Sequence, residues 1–149
     1  ISMAIGVIQH LEKPEIAINS LIGATKKGGI VLIWVYAYGG NEWIVKYVNP
    51  IRKITSRMPV FSVNILSSIL AVALYSYLHL INQKKEYLIQ LSKFRFWVIH
   101  NIVLDQLIPK IANYWTKEEV LNLFNNKKLK DIKIFKVNNN SWTLIGRKI

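Results

Sequence analysis

The sequence predicts an α/β protein in which two parallel strands, a helical insert and a terminal antiparallel hairpin follow one another. Three observations support this class. Two apolar runs flank a helical pattern near the start, an apolar stretch with helical spacing fills the middle, and two alternating segments end the chain. The expected divisions are 1–40, a partial core; 41–109, a helical cap insert; and 110–149, a helix and a hairpin that complete the core.

The first element is a strand–helix–strand unit. Ile1 to Ile8 is almost entirely apolar, which is typical of a strand buried on both faces. Pro14 suits the first turn of a helix, and Gly28-Gly29 suits its end. Ile30 to Tyr36 is a second buried strand, and one helix between two such strands predicts a parallel crossover. Because a buried strand rarely opens a protein, we expect the chain to be a fragment of a longer one.

The insert contains a long segment without charge, from Val60 to Gln83. About 20 apolar residues can cross a bilayer. However, polar and small residues recur along one side of this segment at helical spacing, and in lipid they would need a partner helix or water. A soluble cap helix is the favoured interpretation, and interfacial membrane contact and a true span stay open. The polar and small stripe consists of Asn64, Ser68, Ala71, Tyr75, His79 and Asn82.

Two further signals mark the ends of helices. Asn49-Pro50 is expected to break a helix that begins near Ile44. Near the end of the chain, Thr116 and Glu119 have the spacing of a capping box and predict a helix start. After that helix, alternating segments on either side of Asn138-Asn139-Asn140 predict a hairpin.

Composition excludes several classes of function. The 149 residues contain no cysteine, which excludes disulfide scaffolds, thiolate zinc sites and cysteine nucleophiles, and fits a cytoplasmic location. The three histidines and eight acidic residues are scattered, so no metal centre is expected. Twenty basic residues give a formal net charge of +12, but the 16 lysines are spread along the chain. Without a dense basic run, an anionic membrane surface is a better partner than nucleic acid.

Several short segments, in order, resemble the second half of a class I S-adenosylmethionine-dependent methyltransferase. They are Ile5-Gly6-Val7-Ile8-Gln9-His10-Leu11, Pro14-Glu15, Lys27-Gly28-Gly29, Ile33-Trp34-Val35-Tyr36, Asp105-Gln106-Leu107-Ile108-Pro109, Tyr114-Trp115-Thr116-Lys117-Glu118-Glu119-Val120 and the hairpin from Ser141-Trp142 to Gly146-Arg147. The resemblance extends over essentially the whole chain. It implies the C-terminal part of a Rossmann-like sheet, with the cap inserted after the family's fifth strand.

The resemblance also implies a function and a set of site residues. The chain would belong to an enzyme that transfers a methyl group from S-adenosylmethionine to a small or apolar acceptor. His10 would orient that acceptor or take its proton, because an imidazole titrates near neutrality; a helix-capping or packing role is the alternative. The backbone of Ala4, Ile5 and Gly6 would contact the cofactor, or these residues are simply core. Acceptor contacts are assigned to Gln9, Tyr36, Asn41 and Tyr114, with packing as the alternative for the aromatic residues.

Some of the family's pattern is missing. Its glycine-rich loop and the acid that binds the ribose would both lie before Ile1, and Gln9 stands where a histidine is frequent. Those two elements make most of the nucleoside contacts, so the chain is expected to be inactive alone. The second hypothesis is a non-enzymatic module that binds membrane surfaces through its apolar helix and its lysines.

Overall fold

The computed structural model describes residues 1–84, 86–125 and 128–149, and it divides into two compact units. Unit 1 consists of Ile1–Lys46 and Ile111–Ile149, and unit 2 consists of Tyr47–Lys110. Unit 1 contains all the strands of the described chain, and unit 2 is helical.

Unit 1 is built on a mixed four-stranded sheet. Strand β1 (Ser2–Ile5) pairs in parallel with β2 (Ile30–Tyr36), and the final hairpin consists of β3 (Leu129–Val137) and β4 (Ser141–Lys148). The last strand, β4, lies between β2 and β3 and is antiparallel to both, so that the strand order is β1-β2-β4-β3. The α/β class, the parallel pair and the closing hairpin are therefore confirmed.

Helices α1 (Pro14–Ala24) and α6 (Lys117–Phe124) pack against one face of this sheet. The shared core consists of Ile18, Ile22, Val31, Ile33, Val35, Val120, Phe124 and Leu144, each at most 1% exposed. Helix α1 begins at Pro14 as expected, and Gly28 adopts a left-handed conformation (φ +74°) in the turn that leads to β2. Burying this set on one face fixes the register of β2, whose alternate residues point to the other face.

One expectation about β1 is wrong. The strand spans four residues rather than the whole run from Ile1 to Ile8, and it is not buried on both faces. Ala4 packs against the core, whereas Met3 and Ile5 are more than half exposed. Met3 and Ile5 pair with Leu32 and Trp34, which belong to the sheet face opposite the shared core.

The two local signals near the end of the chain are confirmed. The Glu119 backbone N–H donates to Thr116 Oγ1 at 3.3 Å, and the Thr116 N–H donates to Glu119 Oε2 at 2.7 Å, which completes the capping box. In the hairpin, Asn138 and Asn139 both adopt positive φ (48° and 57°). Asparagine tolerates this conformation, and the twist of such turns suits the strands that they connect.

Unit 2 contains helices α2 (Asn49–Thr55), α3 (Val60–Leu80), α4 (Glu86–Ser92) and α5 (Phe96–Leu107). A π-helical turn (Ile44–Val48) leads directly into α2, and Pro50, which has no backbone N–H to donate, stands in the first turn of α2. The helix therefore changes type near Asn49-Pro50 rather than breaking. The uncharged segment forms α3.

Helix α3 packs antiparallel against α5. The Tyr75 ring meets the Phe96 ring at 5.7 Å, while Ser67 Oγ and Ser68 Oγ both lie 3.1 Å from His100 Nε2. Part of the polar stripe thus finds its partner on α5. Helix α3 is long and apolar enough to span a membrane by length and composition alone. Only 17% of the 18-residue stretch of the helix that meets this criterion is buried.

Candidate functional site

The sequence-predicted site residues near the start of the chain gather where β1 and β2 end. In open α/β sheets, ligands bind outside the carboxyl ends of the parallel strands. After β1, Gly6 turns the chain with φ +70°, a short 3₁₀ turn carries Gln9 and His10, and Tyr36 ends the neighbouring strand. The parallel pairing therefore places these elements at one edge of the sheet.

A distant segment, 111–115, fastens both strand ends. The Asn113 N–H donates to the Gln9 carbonyl at 2.9 Å, and Asn113 Nδ2 donates to the Leu11 carbonyl at 3.0 Å. The Trp115 N–H donates to the Tyr36 carbonyl at 3.2 Å. Asn113 was not identified from the sequence as part of the site. Its signal was a lone amide residue among apolar residues, just before the capped helix.

His10 is held in one tautomer. Its Nδ1 lies 2.8 Å from the carbonyl oxygen of Ile111, and because a carbonyl only accepts, Nδ1 must carry the proton. In the neutral imidazole, Nε2 then keeps its lone pair and is able to accept a proton. The ring also meets Tyr36 edge to face at 5.9 Å. His10 is thus oriented by a bond of the kind that fixes histidine tautomers in catalytic sites.

Three of the predicted side chains, those of His10, Tyr36 and Tyr114, form an aromatic cluster together with Trp34. Tyr36 stacks on Tyr114 with ring centroids 5.3 Å apart and planes inclined by 21°. Trp34 meets Tyr36 edge to face at 5.6 Å, and His10 contacts Tyr36 as described above. All four side chains are partly buried. Tyr36 is the centre of this cluster because the other three rings contact it.

Gln9 is the unusual residue of the site. Its side chain is fully buried, yet neither Oε1 nor Nε2 has a hydrogen-bond partner within the described chain. Gly6 lies alongside, since a Cβ built on it would stand 3.7 Å from Gln9 Nε2. Buried amides are nearly always paired, and leaving one unpaired costs about 1–3 kcal/mol. An unpaired donor and an unpaired acceptor therefore lie near the carboxyl end of β1.

The remaining assigned residues, Asn41, Ala4 and Ile5, make contacts with the backbone of neighbouring segments. Asn41 Nδ2 donates to the carbonyls of Ala37 and Asn140, both at 2.7 Å, which uses both amide hydrogens to fasten β2 to the hairpin turn. Ala4 and Ile5 are paired along β2 with Ile33 and Trp34.

The site matches neither a metal centre nor a known family. In the described part of the chain, no three acidic or histidine side chains gather to hold a metal ion. No family model, curated protein or solved structure matches the chain.

Proposed function

We propose that the chain is the C-terminal part of a class I methyltransferase, which transfers a methyl group from S-adenosylmethionine to a small or apolar acceptor. The strand order carries this proposal. Two parallel strands followed by a helical unit and a terminal antiparallel hairpin form the arrangement that the resemblance implies.

The residues at the strand ends fit a sulfonium cofactor. Gly6 has no Cβ and a positive φ, which lets a ligand approach the backbone after β1 closely. Aromatic faces attract cations, and the sulfonium of S-adenosylmethionine is a cation. Tyr36 and Tyr114 supply such faces beside His10. Ala4, Ile5 and Gly6 would hold the methionine end of the cofactor through their backbone.

The bound cofactor supplies an activated methyl group, so the protein has to position the acceptor and remove its proton. His10 Nε2 would take a proton from an acceptor O–H or N–H, because Nδ1–H already donates to Ile111. The Gln9 amide, with one donor group and one acceptor, would hold a polar group of the acceptor. Tyr36 and Tyr114 would form the apolar wall and exclude water.

Ligand titration followed by amide NMR tests this proposal on the chain as it stands. We expect S-adenosylmethionine to shift the amide signals of residues 4–6 and 10 at millimolar concentration, and ATP to leave them unchanged. Binding should be weak, because the family's glycine-rich loop and ribose-binding acid have no counterpart in the 149 residues.

Matched histidine variants sharpen the test. His10→Gln should change the response at residues 4–6, whereas His79→Gln should not, because His79 is an exposed residue of α3. Equal shifts with ATP, or shifts confined to other parts of the chain, would exclude a methyl-donor site at these strand ends.

A further inference from the structure

Helix α3 of unit 2 has two different sides. Its buried side packs against neighbouring helices through Val63, Ser67, Ala71 and Leu78. The other side carries large apolar residues spaced by three, four or eight positions, which places them along one stripe of the helix. We call this stripe the outer face of α3; it consists of Phe61, Ile65, Ile69, Val72 and Leu80, all exposed.

The C-terminal end of α3 adds aromatic and basic side chains. Because α3 and α5 are antiparallel, this end lies beside the start of α5, as the Tyr75–Phe96 contact shows. Leu80 is 82% exposed and Trp97 is 70% exposed. Among the described residues of the connecting segments, three cations are exposed, which we call the basic rim: Lys84, Lys93 and Arg95.

The charge of unit 2 indicates which partner fits this surface. Residues 47–110 contain eight basic and two acidic residues, a formal net charge of +6. A second copy of the chain would bring like charge against like charge, which disfavours self-association through this side. Nucleic acid would neutralise the basic rim but leave the apolar stripe exposed. An anionic bilayer satisfies both, because its headgroups attract lysine and arginine and its acyl region accepts apolar side chains.

The geometry favours a helix lying on the surface of the bilayer rather than crossing it. The buried side of α3 carries hydroxyl groups that contact His100 of α5. Helix α5 has 12 residues, a length of about 18 Å at about 1.5 Å per residue. It is too short to cross a hydrocarbon core of about 30 Å together with α3.

We propose that unit 2 docks on anionic lipid bilayers through the outer face of α3, Trp97 and the basic rim. The apolar side chains enter the headgroup region while the three cations contact lipid phosphates. This docking does not depend on the proposed methyl transfer, since it requires neither His10 nor a cofactor.

Flotation with lipid vesicles tests the proposal. The chain should float with phosphatidylcholine vesicles that contain about 30 mol % phosphatidylglycerol, and at least tenfold less with pure phosphatidylcholine. Salt at about 0.5 M, present while the chain and the vesicles are mixed, should prevent most of this flotation, since screening weakens exposed charge interactions. Retention of the chain after alkaline carbonate extraction would overturn interfacial docking in favour of a spanning helix.

Two pairs of variants separate this surface from general stickiness and charge. Leu80→Ser with Trp97→Ser should reduce flotation at least tenfold, while Ile16→Ser with Phe135→Ser, at exposed residues of unit 1, should leave it unchanged. Likewise, Lys84→Glu, Lys93→Glu and Arg95→Glu should abolish flotation. The control triple variant Lys13→Glu, Lys26→Glu and Lys117→Glu, also at exposed sites, should retain it.

Circular dichroism should be used to check that each variant is folded. Equal losses in the control and test variants, or no flotation of the unaltered chain, would overturn the assignment. If the unaltered chain floats but S-adenosylmethionine causes no NMR shifts, methyl transfer alone is refuted and the docking proposal stands.

Discussion

Replacing Gln9 by methionine should stabilise unit 1. The Gln9 side chain is fully buried, and its amide nitrogen and oxygen both lack partners in the described chain. An unpaired buried polar group costs about 1–3 kcal/mol, and methionine is unbranched and of similar length without that polarity. We therefore expect the free energy of unfolding of Gln9→Met to rise by about 1–3 kcal/mol, since no hydrogen bond within the described chain is lost.

Gln106 provides the matched control. Its Oε1 accepts a hydrogen bond from Nη2 of the buried Arg52 at 2.9 Å. Gln106→Met removes that acceptor from a buried cation, so stability should fall by about 1.5–3 kcal/mol. The same chemical replacement is thus expected to raise the free energy of unfolding at position 9 and to lower it at position 106.

Native-state hydrogen exchange is the appropriate assay, because Gln9 belongs to unit 1 and Gln106 to unit 2 and each unit can be followed through its own amides. The amides of β2 report on the first variant and those of α5 on the second. A loss of stability in Gln9→Met would refute the reasoning, since it would mean that the amide is satisfied, by water for example.

The remaining predictions concern backbone features and are measured by urea unfolding. Thr116→Ala removes one half of the capping box and should cost about 1 kcal/mol; an unchanged midpoint would mean that the box does not stabilise α6. Gly40→Ala should destabilise by more than about 2 kcal/mol, because φ is +95° and the new Cβ would collide with the Asn139 carbonyl. Gly39→Ala, which meets only the flexible end of a lysine, is the control, and equal effects would contradict this explanation. Asn41→Leu should cost about 1–3 kcal/mol, because the Ala37 carbonyl loses its side-chain donor and the Asn140 carbonyl keeps only the Ala37 N–H; no effect would show that water replaces the Asn41 amide.

Local signals in the sequence predicted most of unit 1. The proline start of α1, the Thr116–Glu119 box and the asparagine turn each depend on neighbouring residues only, and all three were located correctly. Burial of β1 was not predictable in this way. An apolar run indicates that a strand can be buried, but whether both faces are covered depends on which helices pack there. The exposed Met3 shows that one face is not covered.

The site was only partly predictable for the same reason. The position of His10 and Tyr36 followed from strand ends, which are local features. The bond from His10 to Ile111 joins residues 101 positions apart, and the contact between Ser68 and His100 joins residues 32 positions apart. No local pattern specifies such pairs, so neither the tautomer of His10 nor the partner of the polar stripe was available from the sequence.

The stability of Gln9 variants and the proposed function are connected through one amide. If its polar atoms are unpaired until an acceptor binds, Gln9→Met should gain stability and also bind the acceptor more weakly, a trade-off that is common at functional sites. Gain of stability with unchanged ligand-induced shifts at residues 4–6 is also informative. It would show that the Gln9 amide does not contact the cofactor, in agreement with the proposal that the methyl donor contacts the backbone after β1 and not this side chain. A stabilised variant that no longer responds to S-adenosylmethionine would instead place the amide against the cofactor.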